Sequence, residues 1–172
     1  MSTPVTTSSD KAGHAPDLIR NRTYDELAVG ESASLSRTLT REDIELFAAM
    51  SGDINPAHVD EEFARGDMFH HIIAHGMWGA SLISTVLGTE LPGPGTIYLE
   101  QTLKFRAPIA PGDTVVATVT VREKSEKHRV TLDCKVETTT GTLAIEGSAR
   151  ILAPTQKVSR PRVALPRVRL DE

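Results

Sequence analysis

The stretch SGDINPAH, residues 51–58, gathers the densest set of polar groups in the chain. Gly52 permits a sharp turn, and Asn55-Pro56 disfavours helix and stiffens the path, so Asp53 and His58 become the titratable ends of a short rigid loop. A carboxylate and an imidazole aimed at one point can hold a water, accept its proton and return a proton elsewhere, because burial and mutual charge tune both groups toward neutral pH. The same spacing also suits an Asx-turn with a capping histidine, and spacing alone favours that plainer reading.

A second chemical feature is IIAHGMW, residues 72–78. His75-Gly76 stands where a run of apolar and small residues begins, and the first N–H groups of a helix have no intrahelical acceptor. Such a helix start is a ready oxyanion hole, with no side chain on Gly76 to block approach. Close packing is an equally good reason for a glycine there. His70, His71 and His75 invite a zinc reading, but consecutive residues rarely face one ion, and the chain has neither HExxH nor paired CxxC. No metal is expected, and His70 and His71 read as polar residues of a connecting loop. GTELPGPGT, residues 88–96, has no GK[ST] and does not join a strand to a helix, and no GxSxG elbow occurs.

These residues need elements to hold them. Thr40 before REDIELFAAM, with Asp43 three residues on, predicts a capped helix whose stripe is Ile44, Phe47, Ala48 and Ser51. GMWGASLISTVL, residues 76–87, has no charge and is too short to span a bilayer, which predicts a helix buried on every face and ended by Gly88. Gly76, Ala80 and Ser84 would form the small line along which a sheet approaches. After LPGPG the period becomes two. Ile97, Leu99, Leu103 and Phe105 share one face, as do Val115, Ala117, Val119 and Val121, then Val130, Leu132, Cys134 and Val136, then Leu143, Ile145, Ala149 and Ile151. With an early strand around 33–39, about five strands result. An antiparallel sheet with one solvated face must cover the other, and wrapping it around the apolar helix is the simplest solution, an α+β fold.

A chain of 172 residues suits one compact domain. Residues 1–17 are Ser-, Thr- and Pro-rich and read as a flexible leader, 18–153 as the domain, and 154–172 as a Pro-rich tail, an extended linker or a surface strap. The tail is basic, whereas residues 1–153 hold 14 basic and 21 acidic side chains. The net charge of -4 and seven aromatic residues offer little for nucleic acid. A single cysteine, Cys134, the absence of any ~20-residue apolar run and the lack of a signal-peptide pattern predict a cytoplasmic protein that neither enters a membrane nor is secreted.

FAAMSGDINPAHVDEEFA and IIAHGMWGASLISTVLGTELPGPGTIYLEQTLKFRAPIAPGD, at their mutual spacing, resemble the MaoC-like, (R)-specific enoyl-CoA hydratases over roughly residues 22–152. The resemblance implies a hot dog fold, an antiparallel sheet around a long central helix, in a homodimer or higher assembly. It implies that Asp53 and His58 hold the water that adds to C3 of a trans-2-enoyl-CoA, that the Gly76 amide polarises the thioester carbonyl, and that Asn55, His75, Met77, Trp78, Pro92 and Gly93 contact substrate. No cofactor is expected, CoA being part of the substrate. The whole chain, PTQKVSRPRVALPRVRLDE included, also resembles the N-terminal hydratase part of bifunctional proteins with a following phosphate acetyl- or butyryltransferase domain, which makes the tail a linker remnant.

Two departures from the family pattern, RGDMFHHI before IAHG and the bulk of Trp78, predict a narrowed acyl pocket for short chains of about four to six carbons. The alternatives are a hot dog acyl-CoA thioesterase, which attacks the carbonyl of the same thioester, and a non-catalytic acyl-CoA-binding domain. The pair in SGDxNPxH resembles hydratases rather than thioesterases, and intact Asp53, His58 and Gly76 together argue against a binding domain.

Overall fold

A computed structural model describes residues 17–169. Five strands form one antiparallel sheet in the order β2-β4-β5-β6-β3, with β2 (Ser32–Thr38), β3 (Ile97–Phe105), β4 (Thr114–Ser125), β5 (Arg129–Thr138) and β6 (Leu143–Leu152). The long helix α4 (Gly76–Thr89) packs on β4, β2 and β5. The wrapped sheet and its five strands are therefore as the sequence predicts. α1 (Arg41–Ser51), α2 (Pro56–Val59) and α3 (Glu61–Gly66) lie between β2 and α4 in the chain. Among the described residues no helix is long and apolar enough to cross a membrane.

Period-two patterning sets the core. Val115, Ala117, Val119 and Val121 of β4, and Val130, Leu132, Cys134 and Val136 of β5, are buried and meet Leu82, Ile83, Val86 and Leu87 of α4. Burial pushes the Cys134 thiol up to about 11, so it packs as a small apolar group rather than a nucleophile. On β3 the alternation fails: a bulge between Tyr98 and Glu100 breaks the register, and Ile97, Leu99 and Phe105 are exposed. β3 is one of the sheet's two edge strands, so its apolar side chains have no partner strand beyond them.

Two expectations for α4 change. Gly88 does not end the helix, which runs on to Thr89. Nor is α4 buried all round, because Met77, Ser81, Ser84, Thr85 and Gly88 form an exposed, uncharged stripe. Ser81 and Thr85 turn their hydroxyls back to the carbonyls of Trp78 and Ser81. Gly79 also admits the sheet, since a Cβ there would stand 2.7 Å from Ile145 Cδ1, whereas Ser84 faces out.

α1 forms as its cap predicts, with Thr40 Oγ1 accepting from the Asp43 amide and Asp43 returning the bond to the Thr40 amide. Burial pushes the Asp43 carboxyl up, but the hydrogen bond from Arg37 and that of the Thr40 amide outweigh it and hold it below its ordinary value. Gly52 closes the helix in the left-handed region at φ 76°, which turns the chain into the 53–58 loop.

A second, two-stranded sheet pairs β1 (Leu18–Arg20) with β7 (Ser159–Pro161). Its anchor is Asn21, 1% exposed, whose side chain donates to the carbonyls of Pro94 and Gln156 and accepts from the Val158 amide. Residues 154–161 are thus part of the folded body and act as a strap, while Val163 and Leu165 lie exposed beyond it. A buried amide needs fixed partners, and this one recruits both ends of the chain. The leader expected over 1–17 lies, except for Asp17, outside the described residues.

Candidate active site

Local hydrogen bonds shape the 53–58 loop. Asp53 Oδ1 accepts from the Asn55 amide, and Asn55 Oδ1 accepts from the Ala57 amide to cap α2. The Asx-turn is real, and it engages one oxygen of a carboxylate on an exposed residue. His58 is not a cap. It sits in α2, half-buried, with Nδ1 2.9 Å from the carbonyl of Ile73. A carbonyl only accepts, so Nδ1 carries the proton of the neutral ring and Nε2 is left with its lone pair.

The segment before α4 is tied to this loop. The Ile73 amide donates to the Ala57 carbonyl, and the Ala74 amide to the Ile109 carbonyl. His75, 2% exposed, places Nε2 2.9 Å from the backbone carbonyl of Asp53. Ligand atoms of Asp53, His58 and His75 all lie within 4.8 Å of one another. The first backbone bond of α4 runs from Trp78 N to the His75 carbonyl, so the N–H groups of Gly76 and Met77 point off the helix end without intrahelical acceptors.

A cavity of about 280 Å³ opens at this junction, with His58, His75 and Gly76 at one side and Phe69, Ile73, Phe105, Ile109 and Ile145 as apolar wall. A ring nitrogen able to act as a base, a helix start whose first two N–H groups have no intrahelical acceptor and an apolar wall thus meet in one place. That arrangement can activate a water beside an acyl chain and receive negative charge on a carbonyl oxygen. Arg106 also borders the cavity and donates from Nε and Nη2 to one carboxylate oxygen of Glu146, and that hydrogen bonding keeps the Glu146 carboxyl below its ordinary value. Lys104 and Arg122 lie instead along the outer sheet face.

Not every expected contact residue reaches this cavity. Asn55 spends its side-chain oxygen on the α2 cap. Met77 is 56% exposed on the outer stripe of α4. Trp78 is buried in the crease between α4 and α1, beside Phe47 and Leu46, because one residue's step along a helix turns the side chain by about 100° from Met77. Pro92 and Gly93 lie beyond the far end of α4, where Gly93 backs onto Arg20 and Asn21. His70 and His71 line a separate cleft with Arg41 and Arg65. Trp78 therefore does not line this cavity, whereas Phe69, from the RGDMFHHI segment, does. Phe69, Phe105, Ile109 and Ile145 were not singled out for the site from sequence, since strand and loop residues of plain apolar type carry no local mark of facing a cavity.

A family model described as "MaoC like domain" matches residues 27–143. The chain is 47% identical over 140 residues to an (R)-specific enoyl-CoA hydratase of Rhodospirillum rubrum, covering 81% of this chain and 96% of the relative. It is 40% identical over 139 residues to a 3-hydroxybutyryl-CoA dehydratase of Methylorubrum extorquens, covering 80% and 88%. The unliganded R-hydratase PhaJ1 of Pseudomonas aeruginosa superimposes with a TM-score of 0.86 at 41% identity, over 90% of this chain and all of that one.

Proposed function

Because the chain belongs to the MaoC-like domain family, we propose that it adds water to a trans-2-enoyl-CoA to form the (R)-3-hydroxyacyl-CoA, and removes it in reverse. The observation that carries this reading is that His58 and the open start of α4 line one apolar cavity, with an Asp53 carboxylate oxygen within 4.8 Å of a His58 ring nitrogen.

The chemistry follows from the groups present. Asp53 accepts a hydrogen bond from one O–H of the water, and His58 Nε2 takes the other proton as the oxygen bonds to C3. Electrons of the double bond move toward the thioester, and the charge that gathers on its oxygen is met by the Gly76 N–H. That charge exists mainly in the transition state, so the donor lowers the barrier by about 3–4 kcal/mol more than it stabilises bound substrate. The proton on His58 then passes to C2, and both side chains return to their starting states.

The acyl pocket is read as fitting short chains, with Phe69 and Phe105 limiting its depth. Two copies are read as pairing through the β3 edge, where exposed Ile97, Tyr98, Leu99 and Phe105 and unpaired backbone groups invite a second strand. Equilibrium ultracentrifugation checks the assembly, and a monomer at micromolar concentration overturns it. A cytoplasmic setting is supported by the free, buried thiol of Cys134.

The reading is tested by following the ultraviolet absorbance of the conjugated thioester of crotonyl-CoA, with chiral analysis of the product. Rapid loss giving (R)-3-hydroxybutyryl-CoA is expected. Thiol release from saturated acyl-CoAs without hydration would make the protein a thioesterase, and inactivity in both assays would leave an acyl-CoA-binding domain.

A further inference from the structure

We propose that His75 is a positioning residue that locks the two halves of the site together through a fixed tautomer, and that it acts on the reaction through Asp53 and His58. The proposal rests on the hydratase reading of the preceding subsection.

Three observations carry it. His75 Nε2 stands 2.9 Å from the Asp53 carbonyl, which can only accept, so the neutral ring bears its proton on Nε2. Its Nδ1 is buried and has no hydrogen-bond partner among the described residues, an arrangement a bare lone pair tolerates better than an N–H would. The ring also lies against His58 with centroids 4.0 Å apart and planes 36° apart, and against Phe47 on α1 at 4.9 Å.

His75 is thereby a crosspiece. Its backbone is the N-cap of α4 and fixes where the Gly76 N–H points; its Nε2 holds the peptide that carries the Asp53 carboxylate; its face seats the His58 ring. Its tautomer is the opposite of that of His58, whose Nδ1 is spent on Ile73. One ring is thus held with Nε2 closed and the other with Nε2 open to accept a proton. A slackening of either contact misplaces the pair, and a displacement of about 1 Å at reacting groups costs on the order of 100-fold.

The role is separable by substitution. His75→Phe keeps a flat ring between Phe47 and His58 but loses the donor to Asp53; His75→Gln keeps an N–H donor but loses the stacked face. Each is expected to lower kcat for crotonyl-CoA about 10-fold or more, with KM changed less than about 2-fold. The decisive measurement is a double-mutant cycle: in an Asp53→Asn background His75→Phe should cost less than about 2-fold, because the group it positions is already disabled. Equal losses in both backgrounds, losses confined to KM, or full activity of both variants would overturn the role.

A readout independent of activity covers the case in which the variants fail to fold. Nitrogen NMR of the wild-type imidazoles should show His75 as the Nε2–H tautomer and His58 as the Nδ1–H tautomer. An Nδ1–H signature for His75 overturns the proposal even if hydratase activity is high. Wild type with the expected tautomers but no hydration overturns the functional reading instead.

Discussion

A Cβ placed on Gly76 would stand 2.9 Å from Cε1 of Phe105, so the start of the central helix and the end of the edge strand touch with no room for a methyl group. The contact sits on the cavity wall and involves the far end of a side chain that can swing. Gly76→Ala keeps the backbone N–H but pushes the Phe105 ring toward the acyl space. Its kcat/KM for crotonyl-CoA is expected to fall about 10- to 100-fold, and Gly76→Ala/Phe105→Leu to recover most of the loss. A fully active single variant would show that the ring relaxes away from the substrate.

The proposed role of Asp53 and His58 as the proton-handling pair predicts that Asp53→Asn and His58→Gln each lower kcat for crotonyl-CoA hydration by about 100-fold or more, as a lost general base does. Asp53 is exposed and its Asx bond to the Asn55 amide survives as an amide-oxygen contact, so the thermal midpoint of Asp53→Asn should stay close to wild type. Retention of more than a tenth of the wild-type rate by either variant would remove it from the pair.

Phe69 belongs to the wall while Trp78 does not. Wild type is therefore expected to turn over crotonyl-CoA and hexenoyl-CoA well and decenoyl-CoA poorly. Phe69→Ala should raise the relative rate on decenoyl-CoA by about 10-fold, the scale of one or two methylenes gained in an apolar pocket, and Trp78→Phe should not. Equal rates across chain lengths in wild type would sink the short-chain reading.

The strap has an acid-sensitive clasp. Glu26 receives Lys157 Nζ at 2.7 and 2.9 Å and the Thr23 amide at 2.8 Å, and the Lys157 hydrogen bond leads in lowering its carboxyl to about 2. A carboxyl lowered on folding stabilises above its unfolded value and loses that contribution as pH falls through the folded one. The difference in urea midpoint between wild type and Glu26→Gln should be full at pH 6 and shrink steadily from about pH 4.5 toward pH 2.5. A difference that does not change over that range would show that the charge of Glu26 plays no part.

Much of the fold is legible in the residue pattern. The alternation in β4 and β5 names the buried face residue by residue, and the Thr40 cap and Gly52 stop bound α1. The pattern is less informative where the surroundings decide: the β3 apolar residues read as core, yet an edge strand leaves them uncovered. Serine and threonine on α4 read as tolerated burial, yet their hydroxyls close on the helix's own carbonyls at an exposed face.

The same division holds for the site. Sequence by itself determined the chemical groups: a carboxylate and an imidazole on a stiff loop, and a glycine at a helix start, each set by local spacing and backbone preference. Tertiary structure decided which of them meet. Ile73 orients the His58 ring from 15 residues away, His75 reaches from the cavity to the Asp53 peptide, and Phe105 and Ile145 arrive from distant strands to wall the cavity. Hydrogen bonds and packing between residues far apart in the chain depend on where the folded elements come to rest, and no short stretch of residues encodes that alone.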